Sequence, residues 1–217
     1  MRQYVLWHLC KLDFLQTLTY CIVQLTPHPK KSRLEVMMVD SKQPILESER
    51  LILRPFAKGD AEDIFSYASN EEVANTVTWP AHRGLSDSVA YLDIIESNTC
   101  TKSGMIHFFW AIQLKESMRV VGSIDLQQPF QHSAQFDYAL AYQQWNKGIM
   151  TEAAKSVKSW ACENISNLQR FQSFCIANNT GSRRVMEKCG LRLEGIRKKY
   201  MDIKGIPVDI AYYAELW

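Results

Sequence analysis

The sequence has no CxxC pair, and none of its histidines stands at a zinc-ligand spacing from a cysteine. That leaves six cysteines to read as reduced thiols in a cytosolic protein, and no metal site is expected. It also has no excess of either charge. The formal net charge is +2, so a nucleic-acid partner finds no electrostatic support. No apolar run is unbroken at membrane length. Residues 4–25 (YVLWHLCKLDFLQTLTYCIVQL) come nearest, but they carry His8, Lys11, Asp13 and Gln16. A Lys or Asp at the centre of a membrane span costs about 2.5–3.5 kcal/mol. A signal peptide needs an unbroken apolar stretch and a small-residue cleavage site, and neither stands out. The segment reads as an amphipathic helix that packs on a domain or a partner, followed by a linker, TPHPKK. No internal repeat is present.

What is there is ordinary globular chemistry. Hydrophobic residues make up 47% and charged residues 22% of 217, enough for one domain with a real core plus an appendage. We place the boundary at residue 44, with residues 1–43 as an extension and 44–217 as the organised domain. LESERLILRPF reads as one strand ended by Pro55. Asp60 is placed to cap AEDIFSYAS, a short helix fits EEVANTV, and Ser86 is placed to cap DSVAYLDIIES. Three strand candidates follow, IHFFWAIQL, RVVGSIDLQ and HSAQFDYALA, the first two joined by a turn at Lys115–Ser117. A helix over residues 151–162 puts Ile149, Ala153, Ala154, Val157, Trp160 and Ala161 on one face. Residues 170–177 form a strand. Residues 179–189 form a helix stopped by Gly190, and two strands flank Lys204 and Gly205. A helix between two strands predicts a crossover to a parallel neighbour. The chain therefore reads as α/β, a mixed and mostly antiparallel central sheet with one parallel pair and flanking helices.

One stretch points to a ligand. In QQWNKGIMTEAAKSVKSWA a polar loop with a lone glycine, Gly148, runs into the start of an amphipathic helix. Free N–H groups and a partial positive charge at a helix N-terminus bind phosphate without a lysine. A ligand in an α/β unit sits beyond the carboxyl end of a strand, at the start of the next helix. A lone glycine is equally what a tight turn requires.

Other segments narrow the choice. WNKGIMTEA resembles the acetyl-CoA signature, Q/R-x-x-G-x-G/A, of the GNAT N-acetyltransferase superfamily, and is closest to its RimJ and RimL-like branch of ribosomal-protein N-acetyltransferases. SERLILRPF with GDAEDIF, VVGSIDL, FDYALAYQQWNKG and NNTGSRRVMEKCGLRLEGIRKKY resemble further segments of that branch, in its order, across residues 44–217. Asn146, Met150 and Leu191 stand where the branch commonly has Gly, Gly or Ala, and Phe. Met186 stands where many GNAT enzymes carry a tyrosine acid.

The resemblance implies the GNAT fold and direct acetyl transfer from acetyl-CoA, as co-substrate and without a metal, to a primary amine. A protein N-terminal α-amine fits the branch. A polyamine or aminoglycoside acceptor, or a non-catalytic acyl-CoA-binding module, stays open. An α-amine, with a pKa of about 7.7–8.0, needs far less help to lose its proton than a lysine at about 10.4. The resemblance also assigns residues to the cofactor. Backbone of Tyr138, Ala139 and Leu140 would hold the pantetheine arm. The loop and helix start, Trp145, Asn146, Lys147, Gly148, Ile149, Met150 and Thr151, would hold the diphosphate. Asn179 is an N-cap and a candidate contact to the arm, and Ser182 a candidate acid for the leaving thiolate. Asp125 and Asp137 read as a solvated sheet face or as carboxylates that polarise the amine. His82 reads as a surface-loop histidine or as part of the acceptor cleft. No nucleic acid, no membrane, a cytoplasmic location, and a monomer or homodimer complete the expectation.

Overall fold

Among the described residues eight strands form a single sheet in the order β1-β2-β3-β4-β5-β6-β8-β7, from β1 (Leu46–Glu47) at one edge to β7 (Arg192–Ile203) at the other. The computed structural model describes residues 43–99 and 106–217. The expectations for the apolar extension and its linker lie outside them. The inner strands are β2 (Leu51–Pro55), β3 (His107–Leu114), β4 (Val120–Phe130), β5 (Ser133–Leu140), β6 (Arg170–Ile176) and β8 (Ile206–Leu216). Every neighbouring pair is antiparallel except β5 and β6, joined by the crossover helix α4 (Ile149–Asn164). The mixed sheet with one parallel pair is as expected.

Four further helices flank the sheet: α1 (Ala61–Ala68), α2 (Glu71–Ala74), α3 (Leu85–Asn98) and α5 (Thr180–Lys188). Helix α4 buries Ile149, Met150, Ala153, Ala154, Val157 and Ala161. Their spacing of three and four residues builds one apolar stripe. Trp160, beside that stripe, meets Phe108 and Trp110 edge-on, with ring centroids 5.6 and 6.1 Å apart. This fixes α4 on the sheet face that carries Phe108, Trp110, Phe136 and Phe171. Helix α1 packs on β4 and α3 on α1, with Tyr67 and Tyr91 directed at Ser123 on the opposite face.

Three local expectations change. The first strand is two: β1 and β2 pair as a hairpin through residues 48–50, Leu46 opposite Leu53. Asp60 precedes α1, but its carboxylate makes no cap bond there; it accepts from both terminal nitrogens of Arg54 at 2.8 Å and from the Ala57 amide at 2.7 Å. An ion pair with a nearby arginine outcompetes the helix's own N–H groups. At α3 the cap position is Gly84, and Asp87, not Ser86, accepts from the Arg83 and Gly84 amides.

Candidate functional site

Strands β5 and β6 stay paired only at their start, where residues 133–135 face residues 170–172. Beyond Gln135 and Gln172 the two strands part. β5 continues to Leu140 against β4, and β6 continues to Ile176 against β8. The result is a V-shaped opening between two strands whose facing edges lack ladder partners. Two features hold β5 at one side of it. Gly122 on β4 lies so close that a Cβ there would stand 2.4 Å from the Ala139 carbonyl oxygen and 3.1 Å from the Leu140 Cα. The Trp145 indole donates to the Leu140 carbonyl at 2.8 Å. Across the V, the Tyr138 hydroxyl donates to the Ser182 carbonyl at 3.2 Å, tying β5 to the first turn of α5.

The wide end of the V leads to the loop before α4. Gly148 is left-handed, φ +78°, and is the N-cap residue of a sixteen-residue helix. The first intrahelical bond to Gly148 comes from the Glu152 amide at 3.0 Å, which leaves the amides of Ile149, Met150 and Thr151 without helical partners. Asn146 is left-handed too, at φ +61°. This explains its standing where the branch has Gly: asparagine tolerates that conformation better than other side chains do. Ile149 and Met150 bury their side chains, so only their amides can meet a ligand. Asn146, Lys147 and Gly148 are exposed.

Arg50 staples this loop, and sequence reading missed it. Its guanidinium donates to the Glu152 carboxylate at 2.7 Å and to the Lys147 carbonyl at 3.0 Å. Glu152 also accepts from the Ser48 hydroxyl at 2.7 Å and the Arg50 amide at 2.9 Å. Partial burial works against ionisation of Glu152, but the Arg50 amide, the Ser48 hydroxyl and the Arg50 guanidinium outweigh it and hold its pKa below the usual range. Its charge is therefore spent on Arg50, and the cleft lined by Glu49, Gly148, Thr151, Glu152, Lys155 and Lys188 keeps two lysines beside the free amides. An elongated ligand with phosphates fits this donor set: amides and lysines at the helix start, strand edges along the V.

Helix α5 opens at the other side of the V. Asn179 is its N-cap, with the side chain accepting from the Ser182 amide at 3.0 Å. Ser182 is half-buried in the first turn, and Met186, one turn on, is fully buried. Met186 has no proton to give and belongs to the core.

The opposite sheet face is not the solvated surface that its alternation of polar residues suggested. Asp125 and Asp137 are cross-strand neighbours. His107 Nε2 lies 3.2 Å from Asp125 Oδ2, and the Gln127 and Gln135 amides donate to Asp137 Oδ2 at 3.2 and 3.1 Å. Burial pushes the Asp125 carboxyl up to about 8 against its own backbone N–H. Burial and the neighbouring Asp125 push Asp137 up to about 7. His82 is not a surface histidine either. It is 9% exposed, its Nδ1 lies 2.9 Å from the Ser88 hydroxyl, and its ring sits 5.4 Å from Trp79 and 6.0 Å from Tyr91. Burial lowers its pKa, with Asp87 opposing.

Among the described residues, no group of three or more His, Cys, Asp or Glu is placed to hold a metal ion, and no helix is long and apolar enough to cross a membrane. Cys162, Cys175 and Cys189 are free.

Against this geometry stand the chain's similarities to known proteins. Residues 50–192 match the model of the acetyltransferase (GNAT) domain. The uncharacterized N-acetyltransferase YoaA of Bacillus subtilis is 27% identical over 173 residues, which are 79% of this chain and 96% of that protein. A GNAT-family acetyltransferase from Bacillus anthracis superposes with a TM-score of 0.70 at 26% identity, covering 80% of this chain and 98% of that one. RimL, a ribosomal α-N-protein acetyltransferase crystallised with coenzyme A, superposes with a TM-score of 0.68 at 17% identity, over 80% of this chain and 98% of its own. At that identity the likeness to RimL is one of fold.

Proposed function

Because this chain belongs to the GNAT acetyltransferase family and is an acetyl-CoA-dependent N-acetyltransferase, we propose that its acceptor is a protein N-terminal α-amine, as in the RimJ and RimL branch. The observation that carries the cofactor half of the reading is the left-handed Gly148 at the head of α4, the helix that follows β5. Acetyl-CoA, when bound, supplies an activated acyl group on sulfur. The protein's part is to hold, orient and manage protons.

The amides of Ile149, Met150 and Thr151 take the diphosphate, helped by the positive end of α4. Gly148 and Asn146 give the loop its left-handed turns, Trp145 fixes the loop to Leu140, and Lys147 stays at the loop surface. The end of β5 at Tyr138, Ala139 and Leu140 on one side, and Asn179 on the other, would line the path of the pantetheine arm. Ser182, in the first turn of α5, would offer the leaving sulfur a hydrogen bond. The α-amine reading is supported by proton chemistry, since an acceptor with a pKa of about 7.7–8.0 is already partly neutral at pH 7. We also place the enzyme in the cytoplasm, as a monomer or homodimer with no nucleic-acid partner.

The test is an acceptor panel read by thiol release. Peptides with free α-amines should turn over, and the same peptides with blocked α-amines and free lysines should not. Turnover only with polyamines or aminoglycosides would move the enzyme to the small-amine class. Binding of acetyl-CoA with no turnover on any amine would make it a binding module.

A further inference from the structure

We propose that Arg197 selects the acceptor: held against two tyrosine rings beside the V, it takes a carboxylate on the second or third residue of the incoming chain. The inference rests on the protein N-terminus reading and says which N-termini the site prefers. A row of side chains leads from the V to Arg197. Gln172, the last β6 residue paired to β5, donates to Gln135 Oε1 at 3.1 Å, on the sheet face of Asp137. By alternation Phe174 is the next β6 residue on that face, at the wall of the V. Phe174 stands opposite Tyr212 of β8, with ring centroids 5.6 Å apart. The guanidinium carbon of Arg197, on β7, lies 4.6 Å from the Tyr212 ring centroid and 4.8 Å from that of Tyr200. Arg197 and Tyr200 are both exposed.

Two observations set Arg197 apart. The first is that its charge is uncommitted. Nearby basic groups are engaged: Arg170 with Glu194, Arg183 with the Tyr213 hydroxyl, Lys198 with Asp209. Among the described residues no carboxylate pairs with Arg197. Its contacts are the two rings and the Tyr212 hydroxyl. The rings hold a cation by its charge. A guanidinium has five N–H donors in a rigid fork, more than one hydroxyl can take, and the fork matches the two oxygens of a carboxylate.

The second is that the backbone is bent to build this arrangement. Arg197 is opposite Ile210 and Met201 opposite Val208, so residues 198–200 of β7 face Asp209 alone. Lys199, inside this bulge, is left-handed at φ +47°, which a lysine adopts only under constraint. Asp209 supplies the constraint, accepting from the Lys199 amide at 2.8 Å and from Lys198 Nζ at 2.9 Å. In a regular strand, residues three apart point to opposite faces. The bulge turns Tyr200 onto Arg197 instead. Protection of the sheet edge does not require Arg197, because the bulge and its two lysines already provide it.

The geometry also fixes where the carboxylate belongs. From β6 to β7 is two strand spacings, about 10 Å. An α-amine in the V therefore starts its chain about that far from Arg197. At about 3.3–3.6 Å per residue, the second and third side chains come level with the guanidinium. An acid there meets an unpaired cation. A lysine there, or a polyamine, meets a like charge.

Binding is measured by calorimetry on protein saturated with CoA, which holds the cofactor site without turnover. The probes are two peptide amides with free α-amines, Ala-Asp-Asp-Ala and Ala-Asn-Asn-Ala. The acidic peptide should bind at least about threefold tighter, and the ratio should shrink as sodium chloride is raised. Arg197→Gln should remove the preference by weakening the acidic peptide, with CoA affinity unchanged. Arg197→Lys should keep part of it, since the charge stays and the planar fork is lost; if Arg197→Gln does not fold, the reduced ratio in Arg197→Lys is the reading. Turnover of Ala-Asn-Asn-Ala with acetyl-CoA reports separately on the α-amine reading, and CoA affinity on the cofactor reading. Equal affinities for the two peptides in the parent, no binding of the acidic peptide, or an undiminished preference in the variant overturns the proposal.

Discussion

Replacing Gly122 by alanine tests the geometry of the V at the cost of one methyl group. The new Cβ would stand 2.4 Å from the Ala139 carbonyl oxygen and 3.1 Å from the Leu140 Cα. Both are backbone atoms, so no side-chain rotation relieves the clash. The oxygen contact is roughly 1 Å too close, and β5 must move away from β4 to accept it. Overpacking of this kind typically costs about 1–3 kcal/mol. For a domain of this size each kcal/mol lowers the melting temperature by about 2–4 °C, so Gly122→Ala should melt roughly 2–12 °C below the parent. The displaced residues, Ala139 and Leu140, are the ones assigned to the cofactor arm, so CoA should also raise the variant's melting temperature less than the parent's. Differential scanning fluorimetry with and without CoA measures both effects. A variant that melts within a degree of the parent and is stabilised equally by CoA would show that β4 and β5 are not held as tightly as described.

Four further outcomes are expected. Ser182→Ala should cut turnover at least about tenfold, with acetyl-CoA affinity little changed. Asn179→Ala removes the cap bond to the Ser182 amide, costs about 0.5–2 kcal/mol of stability and weakens cofactor binding as well; steady-state kinetics and melts on both variants separate the two roles, and unchanged turnover in Ser182→Ala would return that serine to a plain helix-start hydroxyl. The pair Asp125 and Asp137 gives a stability signature with a definite sign. Their folded pKa values, about 8 and about 7, lie above the unfolded value of about 3.9, so the folded state keeps protons that the unfolded chain releases. Their contribution is greatest below about pH 4 and is lost as the pH rises to about 8. Asp137→Asn should therefore gain melting temperature relative to the parent on going from pH 5 to pH 8, and a difference independent of pH would refute the burial. A chain beginning at Met38 should fold and bind acetyl-CoA; loss of its cooperative melt would show that the preceding residues complete the core.

Local chemistry made much of this legible in the sequence. The three-four spacing of Ile149, Ala153, Ala154 and Val157 writes the buried stripe of α4, and strands β2 and β6 alternate as a half-covered sheet should. Asn179 ahead of a polar helix start is a cap signal, and the structure uses it as one. What did not show is whatever depends on distant chain meeting distant chain. Arg50 and Glu152 are 102 residues apart, and no period or motif links them. Ser48 and Arg50 looked like strand residues, yet they occupy the turn that delivers them to α4. Asp125 and Asp137 alternate with apolar residues, which is the pattern of a face open to water. Only the packing of α1 on β4, and of α3 on α1, reveals that this face is partly covered. Gly122 is the same kind of case: its need for a bare α-carbon comes from the Ala139 carbonyl on the next strand, not from its own neighbours in sequence.

Calorimetric titration of acetyl-CoA into the parent and into Gly148→Glu tests the central claim most directly. The substitution puts a carboxylate at the head of α4, at a residue whose φ of +78° resists a side chain and whose Cβ would lie 3.5 Å from the Arg50 guanidinium. The parent should bind one equivalent, and the variant should keep a cooperative melt while binding none. A variant that binds acetyl-CoA as tightly as the parent would contradict the assignment of this loop to the cofactor.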